Sequence, residues 1–183
     1  MKTSISIILY LFLISIASAQ QAINKVYLKG NQFKEVGKST LKEIQDYRVN
    51  KIKKSKKQLA SVKFKIDENN KLFKLVGTDD VIQISQLQNP SLINDWEKST
   101  LSYIETFTPI DVVGQERYIE RVNTKNYISV IFFEKTQRYG DFNFILYKST
   151  IGNSVYFITY LSDSSSEMKI KNMKQIITSL KNK

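Results

Sequence analysis

The chain has no cysteine and no histidine in 183 residues. Without cysteine there is no disulfide scaffold, zinc ribbon, thiol redox centre or lipid-modified thiol. Without histidine there is no Ser-His-Asp triad, imidazole base or facial iron site. Proline and glycine are also scarce, at 2 and 6. So few breakers leave no low-complexity linker and no glycine-rich phosphate loop. Acidic residues are the minority charge, 17 against 28 Lys plus Arg, for a net charge of +11. What is present is ordinary for a folded chain: 42% hydrophobic and 11% aromatic. That is too apolar for disorder, and the length suits one domain with its own core.

Long apolar runs are absent except at the start. Lys2 precedes the apolar stretch Ile5 to Ile16, and Ala17-Ser18-Ala19 is a small-x-small cleavage pattern. This order is that of a signal peptide, residues 1–19, because the translocase orients the positive end and the peptidase fits small side chains. The run is shorter than the roughly 20 residues a bilayer span needs. The expectation is an exported chain, periplasmic or extracellular after cleavage near Ala19, with no transmembrane segment in the mature part.

Charge is uneven. Residues 20–75 hold 15 Lys plus Arg and 5 Asp plus Glu, whereas residues 76–183 hold 12 of each. The densest stretch contains Arg48, Lys51, Lys53, Lys54, Lys56 and Lys57 with no acid among them. Like charges this close either stay solvated or meet an anionic partner. These six residues are the candidate anion- or partner-binding set. The blander reading is a solvated helix face, and the dominance of Lys over Arg suits it, because phosphate recognition favours Arg forks.

Periodicity orders the elements. Residues 20–59 read as a basic leader with a short strand at Val26–Leu28 and a surface helix. Thr40 and Glu43 have capping-box spacing, which predicts a helix from Leu41 to about Gln58. Its apolar stripe is thin: Leu41, Ile44, Tyr47 and Ile52. Residues 60–183 read as a single α+β domain. Val62, Phe64 and Ile66 alternate with polar residues, which predicts a strand over Ser61–Asp67 pairing with Leu72–Gly77. A third strand follows at Val81–Ser85. Asn89-Pro90 opens a helix to about Thr106 that carries Trp96 as a core residue. Four strands follow, at Val112–Val122, Tyr127–Lys135, Phe142–Ser149 and Val155–Ser162, with Gly140-Asp141 as a turn. Ser129–Phe133 is nearly continuous in apolar residues, as in a strand covered on both faces. Ser164 and Glu167 repeat the capping-box spacing before a last helix with Ile170, Met173, Ile177 and Leu180 on one face.

Chemistry is sparse along this pattern. The adjacent carboxylates Asp67-Glu68 and Asp79-Asp80 could serve acid–base work, but both sit where turns use Asp for local hydrogen bonds. No calcium loop, nucleophile elbow or Walker sequence occurs. Tyr156, Ile158 and Tyr160 share one strand face. Such a face is either a binding platform or, more commonly, a core face under a helix. The expectation is no catalytic residue, no metal and no cofactor.

The last forty residues carry a resemblance. Phe142 to Tyr160, an aromatic strand pair around Ile151-Gly152-Asn153, leads to a helix ending Ile177-Thr178-Ser179-Leu180. This resembles the closing hairpin and helix of the Mog1/PsbP-like superfamily, with Leu180 where Phe is common. The resemblance spans roughly residues 60–183. It implies an antiparallel β-sheet flanked by helices, an αβα sandwich, in a non-enzymatic binding or accessory protein; with the signal peptide, the expectation is an exported one. None of the family's functional residues has a match here. The expected partner, from the basic charge and export, is an unknown protein or an anionic envelope component; export and the lack of a basic-aromatic RNA-binding strand disfavour nucleic acid. The competing reading is a polyanion- or membrane-surface binder acting through residues 48–57.

Overall fold

The computed structural model describes residues 23, 25–55, 64–87, 98, 102, 116–136, 140–150 and 154–182, with the side chains at 48–49, 51–55, 136, 140, 142 and 182 left aside. Within these, nine strands and two helices form a mostly antiparallel α+β fold. The strands are β1 (Val26–Leu28), β2 (Phe33–Glu35), β3 (Asn70–Leu75), β4 (Val81–Leu87), β5 (Glu116–Asn123), β6 (Tyr127–Thr136), β7 (Gly140–Ser149), β8 (Val155–Leu161) and β9 (Leu180–Asn182). The helices are α1 (Lys38–Ser55) and α2 (Ser166–Ser179).

Seven strands pair in the order β2-β3-β4-β8-β7-β6-β5, and β1 with β9 makes a separate ribbon. The meander β5–β8 stands in sequence order, as its turn spacing predicts. β8 then docks beside β4, from Val81 opposite Leu161 to Leu87 opposite Val155. Residues of the basic leader are built into both sheets: Val26 pairs with Asn182 and Phe33 with Leu75.

Strand alternation sorts the core into two faces. Phe73, Ile82, Ile84, Ile131, Phe133, Ile145, Ile158 and Tyr160 pack with Met173, Ile176 and Ile177 of α2. Their neighbours Leu72 and Val81 pack instead with Val36, Ile44 and Phe64, with Leu41 against them. β6 is buried continuously from Ser129 to Glu134, the two-sided cover its apolar run predicts. Among the described residues, no helix is long and apolar enough to cross a membrane.

Several boundaries differ from the sequence reading. α1 begins at Lys38, so Thr40 lies inside the helix rather than capping it, with its amide bonded to the Gly37 carbonyl at 3.2 Å. Residues 64–66 are not a strand. Phe64 is nonetheless buried, because Gln45 Nε2 donates to its carbonyl at 3.0 Å and the Lys65 amide donates to Gln83 Oε1 at 3.0 Å. The partner of β3 on that side is β2. Gly140 and Asp141 are strand residues, opposite Thr136 and Lys135, rather than a turn. The N-cap of α2 is Ser165, whose side chain accepts from the Met168 amide at 3.4 Å, one residue beyond the expected Ser164. The expected helix at 90–106 and Trp96 lie outside the described residues, except that Lys98 and Ser102 are helical.

The β3–β4 turn has one backbone requirement. Gly77 has φ +80°, and a Cβ there would meet nothing within 4 Å. Any cost of a side chain is therefore backbone strain. Gly77→Ala is expected to lose about 1 kcal/mol, read as a lower melting temperature, with Gly77→Asn losing less. Equal melting of Gly77→Ala and wild type would refute that strain.

Candidate functional site

Among the described residues, three buried polar side chains, Asp80, Lys169 and Asn172, lie at or beneath the first half of α2. The buried face of this helix is Lys169, Asn172, Met173, Ile176 and Ile177. Two of those five are polar. Asn172 Nδ2 donates to the Tyr160 hydroxyl at 2.8 Å. That hydroxyl in turn donates to Asp80 Oδ2, at the start of β4. All three side chains are buried. Burial first, and the hydrogen bond to Asp80 second, push the Tyr160 phenol far above its ordinary value. A buried phenol held between a carboxylate and an amide keeps its proton at neutral pH. It ties three segments together: the β3–β4 turn, β8 and α2.

A second polar contact lies one helical turn away. The Lys169 ammonium donates to Asp141 Oδ2 and lies 5.9 Å from the centre of the Phe133 ring. Two residues along β7, on the same face as Asp141, Asn143 is buried, and its Oδ1 has no partner among the described residues. On the opposite sheet face, buried Glu134 accepts from Arg117 at 3.3 Å.

Toward the other end of the α2 face is a tyrosine group. Tyr127 stacks on Tyr147 at 5.0 Å, and Tyr147 lies 6.2 Å from Tyr156. Burial pushes the Tyr147 phenol up to about 12, with Tyr127 and Tyr156 adding to it. The face Tyr156–Ile158–Tyr160 is thus core under a helix, not an open platform.

The outer side of α2 is different. Glu167, Ile170, Lys171, Lys174, Gln175 and Thr178 are the described lining of a shallow groove of about 440 Å³. The spacing of these six is one helical stripe. Lys174 at its middle is fixed: its ammonium lies 2.7 Å from Glu120 Oε2 and 5.6 Å over the Tyr118 ring, while the Tyr118 hydroxyl donates to the same oxygen. Lys174 first, and Tyr118 second, hold the Glu120 carboxyl below its ordinary value.

Of the six cationic candidates, Arg48, Lys51, Lys53 and Lys54 fall at helical positions of α1, with their side chains outside the description. Lys56 and Lys57 lie outside the described residues. The carboxylate pairs do sit at turns: Asp67 Oδ1 accepts from the Asn69 amide at 2.9 Å, and Asp79 Oδ2 accepts from the Tyr47 hydroxyl at 2.8 Å. The sequence reading missed Lys169 and Asn172. Their signal was positional, because 169, 172, 173, 176 and 177 form an unbroken i, i+3, i+4, i+7, i+8 face that two polar residues interrupt. No family model, curated protein or solved structure matches the chain.

Proposed function

We propose that the protein is an exported binding or accessory domain without catalysis, of Mog1/PsbP-like αβα build, and that it meets a protein partner through the outer stripe of α2. One observation carries this reading. The titratable side chains beneath the first half of α2 are spent on each other, Tyr160 on Asp80 and Lys169 on Asp141, and of these four only Asp141 reaches solvent. They fix the helix, and the helix then presents the groove over Ile170, Lys171 and Gln175. The three-layer arrangement is supported by the two core clusters. Ile44 of α1 packs with Leu72 while Met173 of α2 packs with Phe73, and adjacent strand residues point to opposite faces. Export is supported by the N-terminal sequence alone.

The test is site-specific photo-crosslinking in the cell envelope. A benzophenone side chain at Gln175 should trap one discrete protein adduct, and the same group at Lys65, exposed and away from α2, should not. Lys171→Glu in the Gln175 probe should weaken the adduct several-fold. Adducts of equal yield from both positions, or none from Gln175, would sink the groove as the partner surface.

A further inference from the structure

Among the described residues four large hydrophobic side chains are exposed, and two of them belong to one place. Tyr47 on α1 is 47% exposed and Val76 in the β3–β4 turn is 57% exposed. The Tyr47 hydroxyl donates to Asp79 of that same turn at 2.8 Å, which holds the ring beside the turn. The Val76 amide bonds to the Gln32 carbonyl at 2.8 Å, so the turn stands against the start of β2. The end of the sheet thus presents an aromatic and an aliphatic side chain on a fixed backbone.

Its flank is cationic without compensation. Lys34 and Lys74 are directly opposite across β2 and β3, with their side chains on one face. Like charges in that position repel. Neither meets an acidic side chain among the described residues. The contrast on the other face is instructive: Lys71 is ion-paired to Glu35 at 3.4 Å. Lys34 and Lys74 stand one rung, about 7 Å along the strands, from Gln32 and Val76. Past Tyr47, α1 continues through positions 48, 51, 53 and 54, all Arg or Lys, within about 10 Å along the axis. The acids on these elements, Glu35, Glu43, Asp46, Asp79 and Asp80, are five against nine bases.

We propose that this end of the molecule docks on an anionic lipid bilayer. Tyr47 and Val76 enter the interface, and Lys34, Lys74 and the basic end of α1 meet the head groups. Two kinds of group argue for lipid over a soluble polyanion. Lysines are drawn to an anionic leaflet. An exposed tyrosine with a polar tip and an apolar body suits the head-group level, and Val76 beside it gains only where water is excluded. The proposal takes the anionic-partner expectation for residues 48–57 to a specific surface, and it is independent of the α2 groove.

The experiment is sedimentation of the purified residue 20–183 chain with vesicles. One set is phosphatidylglycerol and phosphatidylcholine in equal parts; the other is phosphatidylcholine alone. Wild type should bind the first set and not the second. Lys34→Gln with Lys74→Gln should weaken binding about tenfold. Tyr47→Ser with Val76→Ser should also weaken it about tenfold. Val76→Trp should bind at least as well and show blue-shifted emission on the anionic vesicles. Each variant is first checked for wild-type melting. Loss with the lysine pair but not with Tyr47→Ser/Val76→Ser, together with full competition by heparin, would overturn the bilayer in favour of a soluble polyanion. No binding to either vesicle set would overturn the surface altogether. Since the vesicles contain no protein, neither result bears on the Gln175 crosslink.

Discussion

Asp141→Ala should destabilise the protein by about 3 kcal/mol, while Lys169→Met should cost no more than about 1 kcal/mol. The asymmetry follows from which charge is left behind. The Lys169 side chain is 4% exposed and the Asp141 side chain is 26% exposed. Removing Asp141 strands an ammonium beneath α2 with no acidic partner. Removing the ammonium leaves a carboxylate that already reaches water. Met also keeps the length of the lysine stem and its packing on Phe133. The double variant should therefore recover most of the stability that Asp141→Ala loses. Urea denaturation of the four proteins closes the cycle. Equal, small losses for both single variants would mean that Lys169 reaches solvent and the pair contributes little.

The same residues show how far the sequence could be read. Alternation placed β3, β4 and the meander within a few residues, because half-buried strands must alternate. The continuous apolar run placed β6 as a two-sided strand. Other features depended on pairings distant in sequence. β2 is only three residues long, Phe33–Glu35, and exists because β3 offers it an edge. Residues 64–66 alternate like a strand, yet their amide and carbonyl groups go to Gln83 and Gln45 side chains, which no local pattern announces. Leu180 reads as the end of the α2 apolar face. It does pack with that face, but as the cap of α2 and the first residue of β9, opposite Leu28. The clamp under α2 was hidden for a similar reason. Tyr160 was legible as a face residue, but Asp80 looked like any turn Asp. Only β4 lying next to β8 brings the two together, and strand order is not written in periodicity. The six cationic candidates were legible as a run, and Lys34 opposite Lys74 was not, because that pair is a product of register.

Above pH 10 the protein should lose stability steeply, and Tyr147→Phe should remove a large part of the loss. Burial raises the Tyr147 phenol from 10 to about 12, and it raises Tyr127 and Tyr160 in the same direction. The sign follows from proton binding. Below pH 10 both folded and unfolded chains hold these protons, and the tyrosines make no difference to the pH dependence. As pH rises past 10 the unfolded phenols ionise while the folded ones do not. The unfolded state then binds fewer protons and is favoured. For Tyr147 alone the loss is about 3 kcal/mol, complete once pH passes the folded value near 12. Tyr147 is buried among Tyr127, Tyr156 and the α2 core, so solvent screens this little. Lys174 cannot oppose the effect, since its own raised value acts over the same alkaline range and is likewise lost as pH climbs. Equilibrium unfolding at pH 8, 10 and 11 reads the slope directly. Tyr147→Phe removes one ionisable group from both states while keeping the ring stacked on Tyr127, so its alkaline limb should be shallower at a similar neutral stability. A limb as steep as wild type would move the burden to Tyr160, and Tyr160→Phe would then flatten it at the further expense of the Asn172 and Asp80 hydrogen bonds. A flat profile in the wild type would show that these phenols already reach water, and that the face beneath α2 is open rather than core.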